Sequence, residues 1–589
     1  MRESNFDGVT HCASPVKACP CLLLLVRPKT TAPAHYSLLT PLSSLTYMSQ
    51  CKKPLIFTCF HTLYILVCAK IRRKFVILRL KFHETTMQLP YLTAEEAAAY
   101  IHHGDVLGIG GFGPAGSPKM IPPAIAKRAM AEHEAGRPFK VDVITGASIG
   151  ASCDGELTLA DAIDRRMPFS VNTDLRRAFN SGKVRYTDLN LSDNATHLRQ
   201  GMTGPITWGI IEAIDVQKIC GKIRIYPTAG IGIAPTVCRL AEKGVFIEWN
   251  MWHSSSLIGL HDIYEIEDPW NRRTVGINSI TDRIGKPYIE IEESRIKGVI
   301  RCNTQDESRT MLPGSAETDI IGKNVADFLV WNMHKGYIFR DKLIMQSGVG
   351  SGANAVLGAL GECKEVPNFS IYTEVFQEEP MRLLLEERVT EASTGALTIS
   401  PEKLKELTDN IQYFRDRLII RPSEISNCPE IIARLGICAL NTAIEVDIYG
   451  HVNSTKICGT KMMNGVGGSC DYTCNSMLST FTCTSTQKGG TISSIVPFCS
   501  HIDHTEHYVD AIVTEYGVAD LRNKCATEKA EALIAIAHPD YRPILREYMR
   551  LAQQKGGHTP HLLTAAFAMH DTYIRKGDMR LVDWSEYIK

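Results

Sequence analysis

A glutamate lies near the end of a short, largely apolar run, "NFSIYTEVFQ", at 368–377. The run alternates as a β-strand does: Phe369, Ile371 and Thr373 fall on one face of an extended chain. Glu374 falls on the other face. A carboxylate placed there can act as a nucleophile if nearby groups stabilise the charge that its attack creates. It can equally mark the point where the strand meets water.

Two glycine-rich stretches accompany this glutamate, "QSGVGSGANAV" at 346–356 and "NGVGGS" at 464–469. Glycine lets a turn bring backbone N–H groups against a ligand with no Cβ in the way. The first stretch leads into a predicted helix, whose unpaired N-terminal N–H groups favour negative charge. Two such loops facing each other could hold an oxyanion, although each taken alone is also typical of an ordinary tight turn between strand and helix.

A third glycine motif, "GIGGFG" at 108–113, matches the G-x-G-x-x-G fingerprint of dinucleotide-binding proteins. Prolines interrupt the helix that should receive the pyrophosphate, at Pro114, Pro118, Pro122 and Pro123. We therefore predict no NAD site here, and instead a loop that lets another extended ligand approach the backbone.

Histidines and cysteines near the C-terminus are candidate metal ligands. The histidines of "HIDHTEH" are His501, His504 and His507, and the nearby cysteines are Cys470, Cys474 and Cys483. Spacing of three places the histidines roughly on one helix face, but no HExxH or CxxC pattern accompanies them. We interpret the histidines as hydrogen-bonded structure and the cysteines as small buried residues, and we predict no metal. The sequence also contains no G-x-x-x-x-G-K-[ST] phosphate-binding loop.

The composition is that of a globular protein, with 44% hydrophobic and 22% charged residues among 589. Its 64 basic residues equal its 64 acidic ones, which favours neither nucleic acid nor a membrane surface as a partner. The 19 cysteines show no regular spacing in a chain too long to need disulfides. We expect reduced thiols in a cytosol-like compartment, and two large or three smaller domains.

Residues 1–86 differ from the rest, with twelve Lys or Arg against three acids. Their apolar run at 54–69 is shorter than the ~20 residues that a membrane-spanning helix needs. They could be a transit peptide, a membrane anchor, or sequence upstream of a working start at Met87, and we favour the third interpretation. Thr93 followed by Glu96 is typical of the helix start of a folded domain.

From Met87 onward, short β-rich runs alternate with helical ones, which predicts an α/β fold with mostly parallel sheets. The polar stretch at 303–319 is the candidate linker. It divides the body into predicted domains at 88–305 and 320–589.

Nine stretches taken together resemble the class I coenzyme A transferases, in their acetyl-CoA hydrolase/transferase branch. They are "GGFGPAGSPK", "IEWN…GLHDIY", "QSGVGSGANAV", "YTEV", "RPSEISNCPE", "NTAIEVDIYGHVNS", "NGVGGSCDY", "HIDHTEHYVD" and "VTEYGVADLR". The resemblance extends from Met87 to the C-terminus and excludes residues 1–86. It implies two similar open α/β domains with the active site in the cleft between them.

The resemblance also implies a reaction for Glu374, the glutamate of "YTEV". Its carboxylate would attack an acyl-CoA thioester and form an acyl-glutamyl anhydride, which the CoA thiolate would convert into a glutamyl-CoA thioester. An incoming small carboxylate of the acetate, propionate, succinate or butyrate class would reverse these steps. Each intermediate is itself activated, so no metal, NAD or other cofactor beyond coenzyme A as substrate is expected.

Further site residues follow from the resemblance by motif position. The backbone N–H groups of Val349 and Gly468 would form the oxyanion hole, and the amide of Asn427 would orient the glutamate. The residues implied to contact CoA are Gly348, Val349, Gly350, Ser351, Gly352, Ile444, Asn464, Gly468, Lys488 and Glu515. Glu515 is also a candidate second active-site carboxylate, although it could simply end a strand.

Two departures from the family pattern bear on substrate choice. Ser351 and Gly352 replace a polar residue and a bulky one, which predicts a more flexible loop and a roomier acyl pocket. The tract after "NGVGGS" reads "CDYTCN", where Gly-Asp-Phe is commoner.

Three functions are therefore compared: a CoA-transferase, a hydrolase that uses the same glutamate, and a silent CoA-binding protein. We favour the transferase, because a closed two-domain cleft excludes water from the anhydride. The expected partners are acyl-CoA and small carboxylates, with no nucleic acid and no membrane. We expect a homodimer or higher homo-oligomer in the cytoplasm, or in mitochondria if residues 1–86 act as a transit peptide.

Overall fold

A computed structural model of the chain describes residues 89–268, 270–308 and 314–587. The predictions made for residues 1–86 lie outside this described part. Among the described residues, no helix is both long and apolar enough to cross a membrane.

The first half of the chain is built on a nine-stranded sheet. Its strands are β1 (Val106–Ile109), β2 (Val141–Thr145), β3 (Ile163–Met167), β4 (Arg185–Tyr186), β5 (Trp208–Ile219), β6 (Lys222–Pro227), β7 (Gly244–Asn250), β8 (Ile289–Glu292) and β9 (Ile296–Cys302). Strands β4, β3, β2, β1 and β5 lie side by side and run parallel. The long β5 then pairs in parallel with β7, which pairs with β9, and in antiparallel with β6, which pairs with β8.

Helices connect these strands, and their starts follow local sequence signals. They are α1 (Ala94–Ala98), α2 (Ile121–Glu134), α3 (Glu156–Leu159), α4 (Thr173–Asn180), α5 (Leu191–Arg199) and α6 (Ala234–Leu240). The predicted start of α1 is confirmed: the side chain of Thr93 accepts from the N–H of Glu96, and the carboxylate of Glu96 accepts from the N–H of Thr93.

Helix α2 begins earlier than the prolines suggested, because Pro122 and Pro123 lie in its first turn. Proline is tolerated there since first-turn N–H groups have no intrahelical partner. The buried carboxylate of Glu248 accepts from the N–H groups of Lys119, Met120 and Ile121 at 2.7 to 3.0 Å. A protein carboxylate therefore already fills the helix end at which a pyrophosphate would bind.

The second half contains β10 (Ile344–Ser347), β11 (Phe369–Tyr372), β12 (Val375–Phe376), β13 (Val389–Thr394), β14 (Ala396–Leu397), β15 (Leu418–Ile420), β16 (Cys438–Thr442), β17 (Glu445–Asp447), β18 (Val452–Asn453), β19 (Lys456–Ile457), β20 (Lys461–Met462), β21 (Leu478–Thr482), β22 (Thr486–Gln487), β23 (Ile492–Ser493), β24 (Ile495–Val496), β25 (Ala511–Thr514) and β26 (Gly517–Asp520). Its main sheet has the order β15-β13-β11-β10-β16-β21-β25-β26. All its pairs are parallel except β25 with β26.

This order places a topological switch point at the centre of the second sheet. Strands that follow β10 build outward on one side as β11, β13 and β15, and then on the other side as β16, β21 and β25. In open α/β sheets, ligands bind at the carboxyl ends of the strands beside such a point. The chain leaves β10 and β11 there, at the predicted glycine loop and at Glu374.

The helices of this half are α7 (Ala316–His334), α8 (Ser351–Glu362), α9 (Glu378–Leu385), α10 (Pro401–Asp409), α11 (Ile411–Arg415), α12 (Ser423–Ser426), α13 (Pro429–Leu435), α14 (Ser469–Asn475), α15 (Ala526–Ile536), α16 (Arg542–Gln553) and α17 (Ala568–Lys576). Parallel strands with both faces covered are rich in apolar and small residues, and the fully buried β25 is an example. The predicted α/β class with mostly parallel sheets is confirmed.

The two halves share one hydrophobic core and several polar contacts. One cluster of buried side chains contains Ile247 from the first sheet together with Phe369 and Leu440 from the second. The guanidinium of Arg199 lies 2.7 Å from the carboxylate of Glu424, and both side chains are buried. The halves therefore fix each other's positions, and the predicted domain limits at 305 and 320 stay predictions.

Candidate active site

Glu374 lies between β11 and β12 and has a firmly held backbone. Its carbonyl oxygen accepts hydrogen bonds from the N–H of Gly395 at 2.9 Å, from the N–H of Ala396 at 3.1 Å and from the hydroxyl of Thr394 at 3.1 Å. With the backbone fixed, the side chain leaves the strand end at the switch point of the sheet. It is only half-buried, so a substrate can reach it.

Asn427 holds the carboxylate of Glu374. Its Nδ2 donates to Oε1 of Glu374 at 2.6 Å, and its Oδ1 accepts from the hydroxyl of Ser426 at 2.9 Å. Asn427 is fully buried and follows the short helix α12. The predicted neighbourhood of Asn427 and Glu374 is present in the structure.

A second carboxylate belongs to the same network. Nδ2 of Asn427 also donates to Oδ2 of Asp471 at 3.2 Å. Ser192 on α5 of the first half donates its hydroxyl to Oδ1 of Asp471 at 2.6 Å and its N–H to Oδ2 at 3.1 Å. A chain of hydrogen bonds therefore links the first half of the protein to the candidate nucleophile. It runs from Ser192 through Asp471 and Asn427 to Glu374.

Burial changes the acidity of both carboxyl groups. Desolvation raises the pKa of Glu374 to about 7, although the hydrogen bond from Asn427 opposes the shift. Desolvation also raises the pKa of Asp471 well above its ordinary range, and the charge of Glu374 adds to this. Near neutral pH Glu374 is thus partly ionised.

Gly468 lies against the same carboxylate. A Cβ at this position would lie 1.3 Å from Oε1 of Glu374 and 2.2 Å from Nδ2 of Asn427, so position 468 accommodates no side chain. The N–H of Gly468 has no acceptor in the described part of the chain. A backbone donor is therefore free beside Glu374, as an oxyanion hole requires.

The other glycine loop is fastened to the segment that carries Glu374. The hydroxyl of Thr373 donates to the carbonyl of Ser347 at 2.9 Å. The side-chain amide of Gln377 donates to the carbonyl of Gly348 at 3.2 Å and accepts from the N–H of Gly350 at 3.2 Å. Gly350 has a φ of 120°, which favours glycine.

Val349 lies at the exposed tip of this loop. Its side chain is exposed, and its N–H has no acceptor among the described residues. Helix α8 begins two residues later, at Ser351, and Gly352 lies in its first turn. The loop predicted to line a CoA site is thus placed beside the Glu374 segment.

Lys488 and Glu515 lie together, but away from the contacts of Glu374. Both line a cavity of about 590 Å³. The ammonium of Lys488 donates to the hydroxyl of Tyr573 at 3.0 Å, and the carboxylate of Glu515 accepts from the N–H of Ser485 at 2.9 Å. The structure therefore does not bring Glu515 into contact with Glu374, and both residues stay candidates for CoA contacts.

Asn464 and Ile444 make hydrogen bonds within the second half of the chain. Asn464 donates to the carbonyl of Gly465 at 2.9 Å, and the N–H of Ile444 donates to the carbonyl of Asn453 at 2.8 Å. The loop after Asn464 is tied to the first half through the carboxylate of Asp188, which accepts from the N–H of Val466 at 2.9 Å. A first-half residue thus positions the loop that carries Gly468.

The three histidines of "HIDHTEH" face different partners. His504 lies 2.8 Å from the hydroxyl of Ser469, directly beside Gly468. His501 lies 3.1 Å from the carboxylate of Asp503. His507 lies 3.6 Å from a carboxylate oxygen of Glu506. The contacts of His501 and His504 are those of hydrogen-bonded structure, whereas His507 is exposed and lies beyond hydrogen-bond distance of Glu506.

The cysteine prediction is correct for Cys483 and wrong for its two neighbours. Cys483 is buried, whereas Cys470 and Cys474 are only half-buried. They lie one helical turn apart on α14, which keeps both thiols on its partly exposed side.

A buried acidic cluster in the first half has the residue types of a metal site. Ligand atoms of Glu212, His253 and Asp306 lie within 4.8 Å of one another. The ammonium of Lys119, however, lies 2.6 Å from Glu212 and 2.7 Å from Asp306. Burial alone would lower the pKa of Lys119, but the two carboxylates outweigh it and raise the pKa, so lysine supplies the balancing cation.

Comparison with known proteins identifies the family. Residues 81–295 match the acetyl-CoA hydrolase/transferase N-terminal domain, and residues 404–549 match the C-terminal domain of that family. Propanoyl-CoA:succinate CoA transferase of Escherichia coli strain K12 is 42% identical over 489 residues, which cover 83% of this chain and 98% of that protein. An acetyl-CoA hydrolase of Schizosaccharomyces pombe is 36% identical, over 82% of this chain and 95% of its own length.

A solved structure supports the same fold. The crystal structure of 4-hydroxybutyrate CoA-transferase from Porphyromonas gingivalis superimposes with a TM-score of 0.52 and 22% identity, covering 78% of this chain and 97% of that one. The two family models and the 42% identical relative confirm the resemblance inferred from the sequence, and the chain belongs to the acetyl-CoA hydrolase/transferase family.

Proposed function

We propose that the protein is an acyl-CoA:carboxylate CoA-transferase that uses Glu374 as its nucleophile. The observation that carries the proposal is the setting of Glu374 at the end of β11. One carboxylate oxygen accepts from Asn427, and the side chain fills the space that any residue other than glycine would occupy at position 468. The name of the E. coli relative, propanoyl-CoA:succinate CoA transferase, supports small carboxylates as substrates.

In the proposed reaction, the ionised carboxylate of Glu374 attacks the thioester carbonyl. The C–S bond breaks, CoA leaves as a thiolate, and an acyl-glutamyl anhydride remains. The thiolate then attacks the glutamyl carbonyl, which releases the first carboxylate and leaves a glutamyl-CoA thioester. A second carboxylate attacks this thioester, and the same steps run backward to the new acyl-CoA.

Each step creates a negative oxygen, which the protein must stabilise. We assign this task to the N–H groups of Gly468 and Val349, which have no acceptors among the described residues. Asn427 orients the carboxylate before its attack. No metal or NAD takes part in these steps.

The proposed CoA site extends from the loop 348–352 to the second-half cavity. Gly348 and Gly350 are fixed by Gln377, so the loop can present its backbone to the ligand. Lys488 supplies a cation for an anionic part of CoA. Ile444, Asn464 and Glu515 complete the proposed contacts, and the wider loop around Gly352 is proposed to admit larger acyl groups.

A hydrolase is the second candidate, because the relative from S. pombe is named an acetyl-CoA hydrolase. The same glutamate and donors would serve, with water resolving the intermediate. The homo-oligomeric state and the cytoplasmic location stay predictions.

Initial rates distinguish the two functions. A transferase produces a new acyl-CoA only when a second carboxylate is added, and its double-reciprocal plots are parallel. CoA release that is equally fast in buffer without carboxylate would favour the hydrolase. Glu374→Ala should abolish both reactions, whereas Glu386→Ala, which removes an exposed carboxylate paired with Arg382, should change neither.

A further inference from the structure

Two thiols lie side by side on helix α14. Sγ of Cys470 and Sγ of Cys474 are 3.6 Å apart, which is hydrogen-bonding distance for sulfur. Both residues are half-buried, so a small reagent can reach them. By contrast, Cys220 and Cys525 are exposed. They provide internal controls for reactions that depend on exposure alone.

The hydrogen bond makes the two thiols unequal. Either thiol can donate in this hydrogen bond. With Cys470 as the donor, the bond is the main cause that lowers the pKa of Cys474 and raises the pKa of Cys470. Burial opposes the shift at Cys474. Cys474 therefore becomes a thiolate more readily than an ordinary cysteine does, and the thiolate is the reactive form. Cys470 keeps its proton and stands within reach of its neighbour.

The pair brackets a residue of the candidate active site. Asp471, which accepts hydrogen bonds from Ser192 and Asn427, lies between the two cysteines in the sequence. Gly468 lies two residues before Cys470. Any rearrangement of this turn of α14 therefore acts on the groups that surround Glu374.

A disulfide at this spacing requires such a rearrangement. Cβ atoms four residues apart in a helix are separated by about 5–6 Å. A disulfide needs about 3.5–4.5 Å between the same atoms. Helix α14 spans only Ser469–Asn475, so few hydrogen bonds resist its distortion. A bond formed under strain is also readily reduced, which makes the change reversible.

We propose that Cys470 and Cys474 are a redox modification site: a peroxide converts them into an intramolecular disulfide, and the resulting distortion of α14 stops turnover at Glu374. The thiolate of Cys474 attacks a peroxide oxygen, the O–O bond breaks, and a sulfenic acid forms as hydroxide or an alkoxide leaves and takes a proton from solvent. The thiol of Cys470 then attacks this sulfur and displaces water. The two sulfurs together lose two electrons, which the peroxide receives.

The test uses the full chain and hydrogen peroxide as the oxidant. After treatment, free thiols are blocked with an alkylating reagent, and peptides are analysed by mass spectrometry while acyl-CoA turnover is measured in parallel. We expect the peptide that contains Cys470 and Cys474 to become lighter by two hydrogens and to resist alkylation. Turnover should fall by roughly tenfold or more, because displaced groups position Glu374 poorly. Dithiothreitol should restore both the thiols and the rate.

Variants distinguish oxidation of Cys470 and Cys474 from oxidation elsewhere in the protein. Cys474→Ser should keep its turnover in peroxide, whereas a Cys220→Ser/Cys525→Ser protein should lose it as the unmodified chain does. Thermal unfolding of each variant before oxidation verifies that it is folded.

The thiol chemistry is independent of the proposed function, and only the turnover measurement rests on it. Three results would overturn the inference: both thiols staying alkylatable while Cys220 and Cys525 oxidise, equal inactivation of Cys474→Ser, or a disulfide that leaves turnover unchanged. The mass measurement on the unmodified chain decides the first of these without any variant.

Discussion

Ser192 and Asp471 are joined by two hydrogen bonds across the two halves of the protein, 2.6 Å from the serine hydroxyl and 3.1 Å from its N–H. Asp471 in turn accepts from the nitrogen of Asn427 that holds Glu374. The first half therefore contributes to the placement of a nucleophile that belongs entirely to the second half. A catalytic group held through such a chain is sensitive to changes at its far end.

Ser192→Ala tests this chain at its first link. The backbone N–H still serves one oxygen of Asp471, but Oδ1 loses its hydroxyl donor. We expect turnover to fall on the order of tenfold through looser positioning of Asn427, and the free energy of unfolding to fall by about 1 kcal/mol. Steady-state kinetics and denaturant unfolding measure the two effects. Ser181→Ala, which removes an exposed hydroxyl bonded within its own half, is the control. Unchanged turnover in Ser192→Ala would show that the link is dispensable.

Gly468→Ala tests the space beside the carboxylate. The new Cβ would overlap Oε1 of Glu374 and crowd Nδ2 of Asn427, so the carboxylate must leave its position. We expect kcat to fall by about 10²–10³-fold, as when an oxyanion-hole donor is lost. Gly276→Ala is the matched control, because its Cβ would meet only Ile284 at 3.9 Å. A Gly468→Ala enzyme with normal kcat would exclude this glycine from the reaction.

The pH dependence of turnover should report the ionisation of Glu374. Because its pKa is raised to about 7, kcat/KM should fall as the pH is lowered through about 7. An acid limb of the kcat/KM profile centred near pH 4.5, the ordinary pKa of glutamate, would mean that the carboxyl group of Glu374 is not desolvated in the working enzyme.

The raised pKa of Glu374 makes stability fall as the pH rises, whereas it makes activity increase. The folded protein holds the proton of Glu374 more tightly than the unfolded chain does, so stability is lost as the pH rises from about 4.5 to about 7. Glu374→Gln removes this loss. The difference between the unfolding temperature of Glu374→Gln and that of the unmodified protein should therefore grow as the pH rises from 5 to 8. A constant difference would contradict the assignment.

Asn427→Asp replaces the shared amide by a third carboxylate of the same shape. It removes the donor to both Glu374 and Asp471 and adds a like charge, so the pKa of Glu374 should rise further. We expect the acid limb of kcat/KM to move to higher pH and the maximal rate to fall. Asn410→Asp at the exposed end of α10 should leave the profile in place. A limb at the original pH would show that Asn427 does not set the ionisation of Glu374.

The parts of the site that the sequence predicted are those encoded in local patterns. Glu374 follows an alternating strand, and the glycine loops are contiguous in sequence. The contact between Ser192 and Asp471 joins residues 279 apart, and no period or motif marks Ser192. Asp471 lies in a stretch that carries the family resemblance and also departs from the family pattern, and the sequence assigns it no role. Its contact with Asn427 depends on the fold and cannot be read from the local sequence.

Two other sequence-based predictions differ from the structure for a similar physical reason. The prolines of α2 predicted an interrupted helix. In the structure, the carboxylate of Glu248 comes from a distant strand and accepts hydrogen bonds from N–H groups at the start of α2, which stabilises this helix end. Cys470 and Cys474 were expected in the interior. Their exposure depends on which face of α14 packs against the sheet, and a seven-residue segment does not specify that face.

The central claim is that Glu374 becomes covalently bonded during turnover, and mass spectrometry of the protein after addition of acetyl-CoA or succinyl-CoA tests it most directly. We predict a CoA adduct on the peptide that contains Glu374, absent from Glu374→Ala and discharged by acetate, propionate or succinate as a new acyl-CoA appears. Discharge that is equally fast in plain buffer would favour the hydrolase. No adduct with either acyl-CoA, in folded protein that still turns over substrate, would contradict the account and leave Glu374 as a carboxylate that ends a strand.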